Sequence, residues 1–543
     1  MKPDTVSAPE HPSRRPGEGL ARYAGVTGAA TLTSRILGLA RDQVLAWFFG
    51  AGNEMDAFVV AFRVPNLVRD LFAEGAMSAA FVPTFTHQLT LKGKDDAWRL
   101  ANNVLTALLL STGALVVLGI VFARPLIEMY AGDFARVPGK LELTIHLTRV
   151  MLPFLTMVAV AAAMMGMLNS LHHYFVPALS PAMFNVAAIV GAFVLVPLMP
   201  SLGQPPIMAI ALAALAGGLG QIAVQWPSLR REGYRYRPVF DPRDPVLRRV
   251  LILMGPGTIG LAATQVNLFV NTLLATSQGT GAASWLTYAF RLMYLPIGLF
   301  GVSIGTAVLP AVSRHAAVGD TARIRNTVSR GLGLMLMLNV PATVGLFVLA
   351  TPIVQLLFEH GRFLPADTAA TAAAVRFYAI GLAGYSAVRI ASPTFYAIGE
   401  SRIPAMVSGG AIAVNIIASV ALVRAIGFQG LALGTSIASM ANGGALVWLL
   451  RRRLGRLDGR RLRVTLFKAM ASSVVMAIAA LAIQLAMARV LPGPGFAAQL
   501  VRLSASIGGG MAALAGTAKV LGVDELQDAF DMLDVRVRKL LRR

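Results

Sequence analysis

Apolar residues run in long blocks separated by short polar connections. Fourteen blocks, at about 23–49, 57–90, 98–123, 143–169, 180–199, 205–227, 247–276, 282–312, 328–357, 368–397, 403–423, 428–450, 465–488 and 499–520, read as helices able to cross a membrane. A crossing needs about 20 predominantly apolar residues. The pattern therefore predicts an all-α polytopic membrane protein with fourteen transmembrane helices. No connection is long enough to fold as a separate catalytic domain. Residues 1–22 are polar and lack the apolar stretch and cleavage site of a signal peptide, so they read as a disordered cytoplasmic tail. Residues 523–543 read as an amphipathic cytoplasmic helix that lies on the inner membrane surface or meets a partner.

Composition points the same way. Of 543 residues, 56% are hydrophobic and 14% charged, against about 25% charged in a typical soluble protein. A soluble multi-domain enzyme is excluded. There are no cysteines, which removes disulfides, thiol nucleophiles and Cys-ligated metals together. The seven histidines fall in no metal-ligand spacing, and no GxxxxGK[ST] phosphate loop is present. We expect no enzyme and no cofactor or metal. His172-His173 read as surface residues.

The formal charge of +22 would suggest nucleic acid in a soluble chain, but its distribution follows topology. Alternate connections are basic: Lys92, Lys94 and Arg99; Arg230, Arg231, Arg235, Arg237, Arg243, Arg248 and Arg249; Arg314, Arg323 and Arg325; Arg402; and the cluster over 451–463. The opposite connections at 51–56 and 277–283 have neither Lys nor Arg. The connection 124–141, with Arg124, Arg136 and Lys140, fits least well. By the positive-inside rule both termini are cytoplasmic. The surplus is a topology signal helped by anionic membrane lipids, and no nucleic-acid partner is expected.

The chain also repeats itself at a spacing of 227–228 residues. Ala61-Phe62-Arg63 matches Ala289-Phe290-Arg291, Leu71-Phe72 matches Leu299-Phe300, and Pro177-Ala178 matches Pro404-Ala405. Each half holds six blocks, so the halves enter the membrane in the same orientation, a parallel repeat about an axis along the membrane normal. The expected layout is an N-lobe at 23–229, a basic linker at 230–246, a C-lobe at 247–450, a second basic linker at 451–464 and two further helices over 465–522. Two such halves are a transporter plan.

Charge inside the blocks suggests the cargo. The first two carry Ser34-Arg35, Arg41-Asp42, Arg63, Arg69-Asp70 and Glu74; the eighth carries Arg291, and the tenth Arg376 and Arg389. An ionised residue deep in a span costs at least about 2.5–3.5 kcal/mol, and such residues usually line pathways. Once Arg41 pairs with Asp42 and Arg69 with Asp70, arginine remains in surplus. A permanently charged planar fork suits phosphate oxygens, so an anionic, phosphorylated cargo is expected. Pro65, Gly255-Pro256-Gly257 and Pro341 are expected to interrupt the hydrogen-bond ladder of their helices, either as breaks beside a moving cavity or as ordinary packing kinks.

SRILGLARD (34–42), followed by FFGAGNEMDAFVVAFRVPNLVRDLFAEGAMSAAFVP (48–83), closely resembles the MurJ/MviN lipid II flippase family, within the multidrug/oligosaccharidyl-lipid/polysaccharide exporter (MOP) superfamily. The resemblance continues in YAFRLMYLPIGLFGVSIGTAVLP (288–310), LFEHGRF (357–363) and SPTFYAIGESRIPAM (392–406). It implies two six-helix lobes plus two helices forming a lipid-tail groove. The implied cargo is lipid II, undecaprenyl-diphosphate carrying a disaccharide-pentapeptide, moved to the outer leaflet of the bacterial inner membrane for peptidoglycan synthesis. It assigns Arg35, Arg41, Arg69 and Arg291 to the diphosphate, with Ser34, Asp42, Asp56 and Glu74 supporting or gating. Phe290 and Tyr294 stand where relatives can carry acids. Export of about two negative charges gains roughly 2.3 kcal/mol per charge per 100 mV, so membrane potential or an ion gradient is the expected drive. Cell-wall synthesis proteins are candidate partners. Competing readings are a flippase for another polyprenyl-diphosphate glycan, a drug exporter of the same superfamily, a membrane-embedded glycosyltransferase or lipid-phosphate enzyme, or a non-transporting cell-wall scaffold.

Overall fold

The computed structural model of the chain describes residues 16–69, 77–455 and 457–522. Among them are twenty-one α-helices. The first half holds α1 (Pro16–Phe49), α2 (Asn53–Arg69), α3 (Met77–Lys92), α4 (Lys94–Val121), α5 (Ala123–Ala131), α6 (Lys140–Met151), α7 (Phe154–Ser170), α8 (Phe175–Leu179), α9 (Ala182–Val194) and α10 (Met208–Arg231). The second holds α11 (Pro245–Thr276), α12 (Ala282–Pro296), α13 (Val302–Ala317), α14 (Thr321–Val348), α15 (Ala350–Phe358), α16 (Pro365–Ile380), α17 (Leu382–Ala397), α18 (Arg402–Ile426), α19 (Gln429–Leu454), α20 (Gly459–Val490) and α21 (Phe496–Val520).

Among the described residues, eight segments are helical, long and apolar enough to cross a membrane. Other expected crossings divide into shorter helices. The block at 368–397 splits into α16 and α17 at Gly381, and α12 passes through a π-helical turn, Ile297–Gly301, into α13. The helix breaks do not fall at the expected prolines. Pro65 lies inside α2 and Pro341 inside α14, and α11 continues through residues 255–257. A proline removes one ladder hydrogen bond, and the surrounding turns hold the helix together. Breaks lie instead at Leu152-Pro153, at Leu349 and at Gly381. Polar caps fix two starts: Asp320 accepts from the Arg323 backbone N–H at 2.9 Å and Asp458 from that of Arg461 at 3.1 Å, each worth about 1 kcal/mol.

The chain divides into two compact units that do not follow its two sequence halves. One comprises Met1–Asp42, Pro65–Ile120 and Val150–Thr258, the other Gln43–Val64, Val121–Arg149 and Ile259–Arg543. The first packs Phe81, Phe85, Trp98, Met164, Met167 and Tyr234 into its core, with α10 against α7 and α9. The second is built around Val312, Val328, Met335, Ile390, Phe395 and Leu450. Small residues let its helices approach closely: a side chain at Gly384 would meet the Ser439 carbonyl backbone, and one at Gly301 would meet Ser386. In the same unit α20 packs against α14 and α21, while Phe467, Ile478 and Leu485 of α20 face outward.

Candidate functional site

The distal half of α1 carries the densest charge. Arg41 donates from Nε and Nη2 to Asp42 Oδ1 at 3.1 and 2.7 Å. Both side chains are buried, and the guanidinium lies 5.2 Å from the centre of the Phe184 ring. Burial of a paired ion under an aromatic face keeps the pair closed in this conformation. Arg35 is exposed and makes no ion pair among the described residues. The Ser34 side chain is half-buried, and its carbonyl accepts from Asn185 Nδ2 at 3.1 Å. Arg69, at the end of α2, is half-buried, and Arg291 on α12 is exposed. Asp70 and Glu74 lie outside the described residues.

Asp56 is the best-connected carboxylate. Its side chain is 0% exposed and that of Lys140 1%, with Nζ donating to Asp56 Oδ2 at 2.8 Å. The same oxygen accepts from the Gly281 N–H at 2.7 Å, and Oδ1 accepts from the Ser284 N–H at 3.0 Å and Ser284 Oγ at 2.7 Å. The carboxylate thus sits on the free amides at the start of α12, where the helix dipole favours an anion. Lys140 Nζ also lies 4.1 Å from the centre of the Phe134 ring.

One of these contacts joins repeat-equivalent positions, and a neighbouring one lies a single residue off that register. Asp56 and Ser284 are 228 residues apart, and Thr280, which donates to Asn53 Oδ1 at 2.8 Å, is 227 residues from it. The first separation equals the spacing of the internal repeat between Ala61 and Ala289.

The same region accounts for the basic connection at 124–141. Arg124 pairs with Glu142 at 2.6 Å and Glu128 at 3.3 Å, Arg136 with Asp133 at 2.8 Å, and Lys140 with Asp56. Each of its three bases is matched by an acid, so the segment carries little uncompensated charge. Lys140 was absent from the expected functional residues; its signal was the misfit of a base in that connection.

LFEHGRF closes over the end of α1. The Arg362 N–H donates to the Trp47 carbonyl at 2.9 Å, and Arg362 Nη1 lies 3.6 Å from Glu54. Gly50 (φ +59°) and Gly361 (φ +62°) are left-handed. A methyl group on Gly50 would collide with the Arg362 carbonyl, and one on Gly361 with the Trp47 ring and carbonyl. Tyr288 Oη donates to the Gly50 carbonyl at 3.3 Å. Burial pushes the Glu54 carboxyl up from its ordinary range, and Arg362 partly offsets this.

A family model described as lipid II flippase MurJ matches residues 45–501. The chain belongs to this family. It is 34% identical to the lipid II flippase MurJ of Burkholderia cenocepacia over 78% of this chain and 82% of that one. It is also 34% identical to a probable lipid II flippase MurJ of Bdellovibrio bacteriovorus over 93% of this chain and 95% of that one. A solved lipid II flippase MurJ in an inward closed conformation superposes with a TM-score of 0.74 at 24% identity, covering 93% of this chain and 99% of that chain. A multidrug resistance MATE transporter of the MOP superfamily, solved inward-facing, superposes with a TM-score of 0.66 at 17% identity, covering 80% of this chain and 99% of that one. The protein is a multi-pass transmembrane transporter of this flippase family, not an enzyme.

Two further arginines, Arg376 and Arg389, meet neutral oxygens. Arg389 donates to Tyr294 Oη at 3.3 Å, a phenol and not a carboxylate. Arg376 donates to Thr351 Oγ1 at 2.9 Å and the Phe347 carbonyl at 3.3 Å, tying the end of α14 to α15. Among the described residues no group of three or more His, Cys, Asp or Glu could hold a metal ion.

Proposed function

We propose that this chain carries undecaprenyl-diphosphate-linked disaccharide-pentapeptide from the inner to the outer leaflet of the bacterial inner membrane by alternating access. The observation that carries the reading is the flippase family match over residues 45–501. In this reading fourteen helices cross the membrane and both termini are cytoplasmic. Lobes at 23–229 and 247–450 form a parallel repeat, and residues 465–522 supply a groove for the isoprenoid. Arg35, Arg41, Arg69 and Arg291 bind the diphosphate; Arg41 does so by exchanging Asp42 for a phosphate oxygen. Ser34, Asp42 and Glu74 support those arginines.

Asp56 is the outer gate. Repeat-equivalent residues touch where a pseudo-twofold axis passes, and a contact at the repeat's own spacing supports placing that axis beside Asp56. The connections it joins are those poor in uncompensated base, which is the composition of an outer face. The headgroup crosses through a polar path while the tail stays in lipid. The membrane potential favours outward passage of the diphosphate by roughly 2.3 kcal/mol per charge per 100 mV.

The test is translocation of labelled lipid II by purified protein in liposomes, comparing wild type with Arg35→Ala and Arg291→Ala at matched reconstitution. Transport by wild type that collapses in both variants is expected. Equal leaflet exchange in all three would refute the arginine mechanism. Transport of a different polyprenyl-diphosphate glycan, but not of lipid II, would reassign the cargo.

A further inference from the structure

The connection between α10 and α11 carries seven arginines, at 230, 231, 235, 237, 243, 248 and 249, against three acids. All seven are exposed, and among the described residues none of their guanidinium groups has an ion-pair partner. The acids are engaged elsewhere. Glu232 is held by Lys94 at 2.9 Å and His173 at 2.8 Å. Asp241 Oδ1 accepts from the Arg243 N–H at 3.0 Å, and Asp244 Oδ1 from the Val246 N–H at 2.7 Å.

The backbone of this strap is fastened to α4. Asn102 Oδ1 accepts from Tyr234 Oη at 2.8 Å and from the Arg237 N–H at 3.2 Å. Asn103 Oδ1 accepts from the Asp241 N–H at 3.0 Å, while its Nδ2 donates to the Asp241 carbonyl at 3.1 Å. Thr106 and Tyr236 hydroxyls meet at 3.1 Å. Tyr234 is buried against Trp98 and Trp226, with ring centres 5.0 and 6.1 Å away. Two amide side chains inside a helix are thus committed to holding a loop whose arginines are all exposed.

The strap's level is set by its neighbours. It begins where the apolar helix α10 ends and lies on the first turns of α4, both long enough to span a membrane. Arg248 and Arg249 are followed within one turn by exposed Leu251, Ile252 and Leu253, and Phe240 is exposed beside Asp241. An unpaired arginine row bordered by outward apolar side chains sits at headgroup depth, where guanidinium forks match phosphate oxygens.

We propose that residues 230–249 form a preorganised binding surface for anionic phospholipid headgroups of the inner leaflet. The apolar residues beside the arginines favour a lipid over a free phosphate, because they meet the acyl chains of the same molecule. The inference rests on the inner-face placement proposed above, whereas its test does not.

Full-length protein in zwitterionic micelles is titrated with dihexanoylphosphatidylglycerol, dihexanoylphosphatidylcholine and inorganic phosphate, and binding is read by thermophoresis. Wild type is expected to bind the glycerol lipid saturably and in preference to both others. Arg235→Gln/Arg237→Gln/Arg243→Gln/Arg248→Gln is expected to weaken that binding at least about tenfold. Arg314→Gln/Arg323→Gln/Arg325→Gln/Arg330→Gln, which removes equal charge from the end of α13 and the start of α14, leaves it within about twofold. Equal losses in the two variants would reduce the effect to bulk charge and overturn the strap. Phosphate binding as tightly as the lipid would overturn the lipid assignment. Lipid II transport is measured separately, so a wild type that transports lipid II but does not bind the glycerol lipid refutes this inference and not the flippase reading.

Discussion

Replacing Asp56 by asparagine keeps the shape of the side chain and removes its charge. The carboxylate is fully buried and accepts from Lys140, from two backbone amides of the α12 start and from the Ser284 hydroxyl. An asparagine carbonyl can still serve Ser284, but its NH2 group then faces Lys140 Nζ and the Gly281 N–H, donor against donor. The Lys140 charge is left buried without its partner, which costs about 3–5 kcal/mol. That weakens the arrangement by about two to three and a half powers of ten relative to any state in which Lys140 reaches water. The chain has no cysteine, so a single reporter is unambiguous. Ala283→Cys is buried beside the hub and Ala101→Cys lies in the core of the other unit. In Asp56→Asn, an impermeant maleimide is expected to label position 283 at least tenfold faster, with position 101 unchanged. Adding Lys140→Met should return most of the protection, because removing both charges costs far less than removing one. Unchanged labelling at 283 in Asp56→Asn would refute the latch. Equal acceleration at 101 would mean global loosening instead.

Gly361→Ala forces a Cβ into the Trp47 ring and carbonyl at a left-handed φ; it should cost at least about 1–3 kcal/mol and lower the melting temperature, whereas Gly319→Ala, left-handed but with open space around it, should cost only the conformational part. The Glu54 carboxyl is raised by burial, so its protonated form favours the folded arrangement. That stabilisation is full below the ordinary glutamate range and disappears as pH rises through the raised value. Glu54→Gln should flatten this limb of the protection at position 283, scored against the same cysteine in denatured chain. An identical pH profile in the variant would contradict the assignment. Glu232 moves the other way, held below its usual range first by His173 and then by Lys94. Its contribution is present above the ordinary glutamate value and lost as pH falls through the lowered one. The hydrogen-exchange protection factor at residues 171–174 should therefore fall on acidification in wild type and start low in Glu232→Gln.

The membrane class was legible because about twenty consecutive apolar residues admit few other fates. Helix breaks were less so. Proline was expected to interrupt at 65 and 341, yet a helix tolerates one missing donor when its neighbours hold it. The division at Gly381 and the π-helical turn at Ile297–Gly301 depend instead on how closely α16, α17 and their neighbours pack. Pairing inside α1 was half legible: the Arg41–Asp42 pair followed from the sequence, while Phe184, which covers it, comes from α9. Asp70 and Glu74 lie outside the described residues, so the partner of Arg69 in that segment stays an expectation. Lys140 was visible only as an inconsistency. A rule that counts bases by connection treats Arg124, Arg136 and Lys140 alike, and only folding shows that each is answered by a carboxylate.

That inconsistency bears on how the positive-inside rule should be applied here. The rule concerns charge that must stay on one side of a membrane, and a base neutralised within its own folded surface carries less of that burden. Connection 124–141 has three bases, all paired. Connection 230–249 has seven exposed arginines and no ion pair among them in the described residues. The contrast lies in pairing more than in number. One segment uses its lysine to fasten Asp56 at the α12 start, the other fastens its backbone with neutral asparagines and leaves its charge for the membrane. Moving the strap's charge into internal pairs should therefore erode orientation as well as lipid binding. Val239→Glu/Pro242→Glu, which sets two acids beside the arginines and leaves the buried Tyr234 in place, measures it through labelling of a single cysteine at Ser228 from either side. Wild-type-like sidedness in that variant would separate net charge from topology and break this argument.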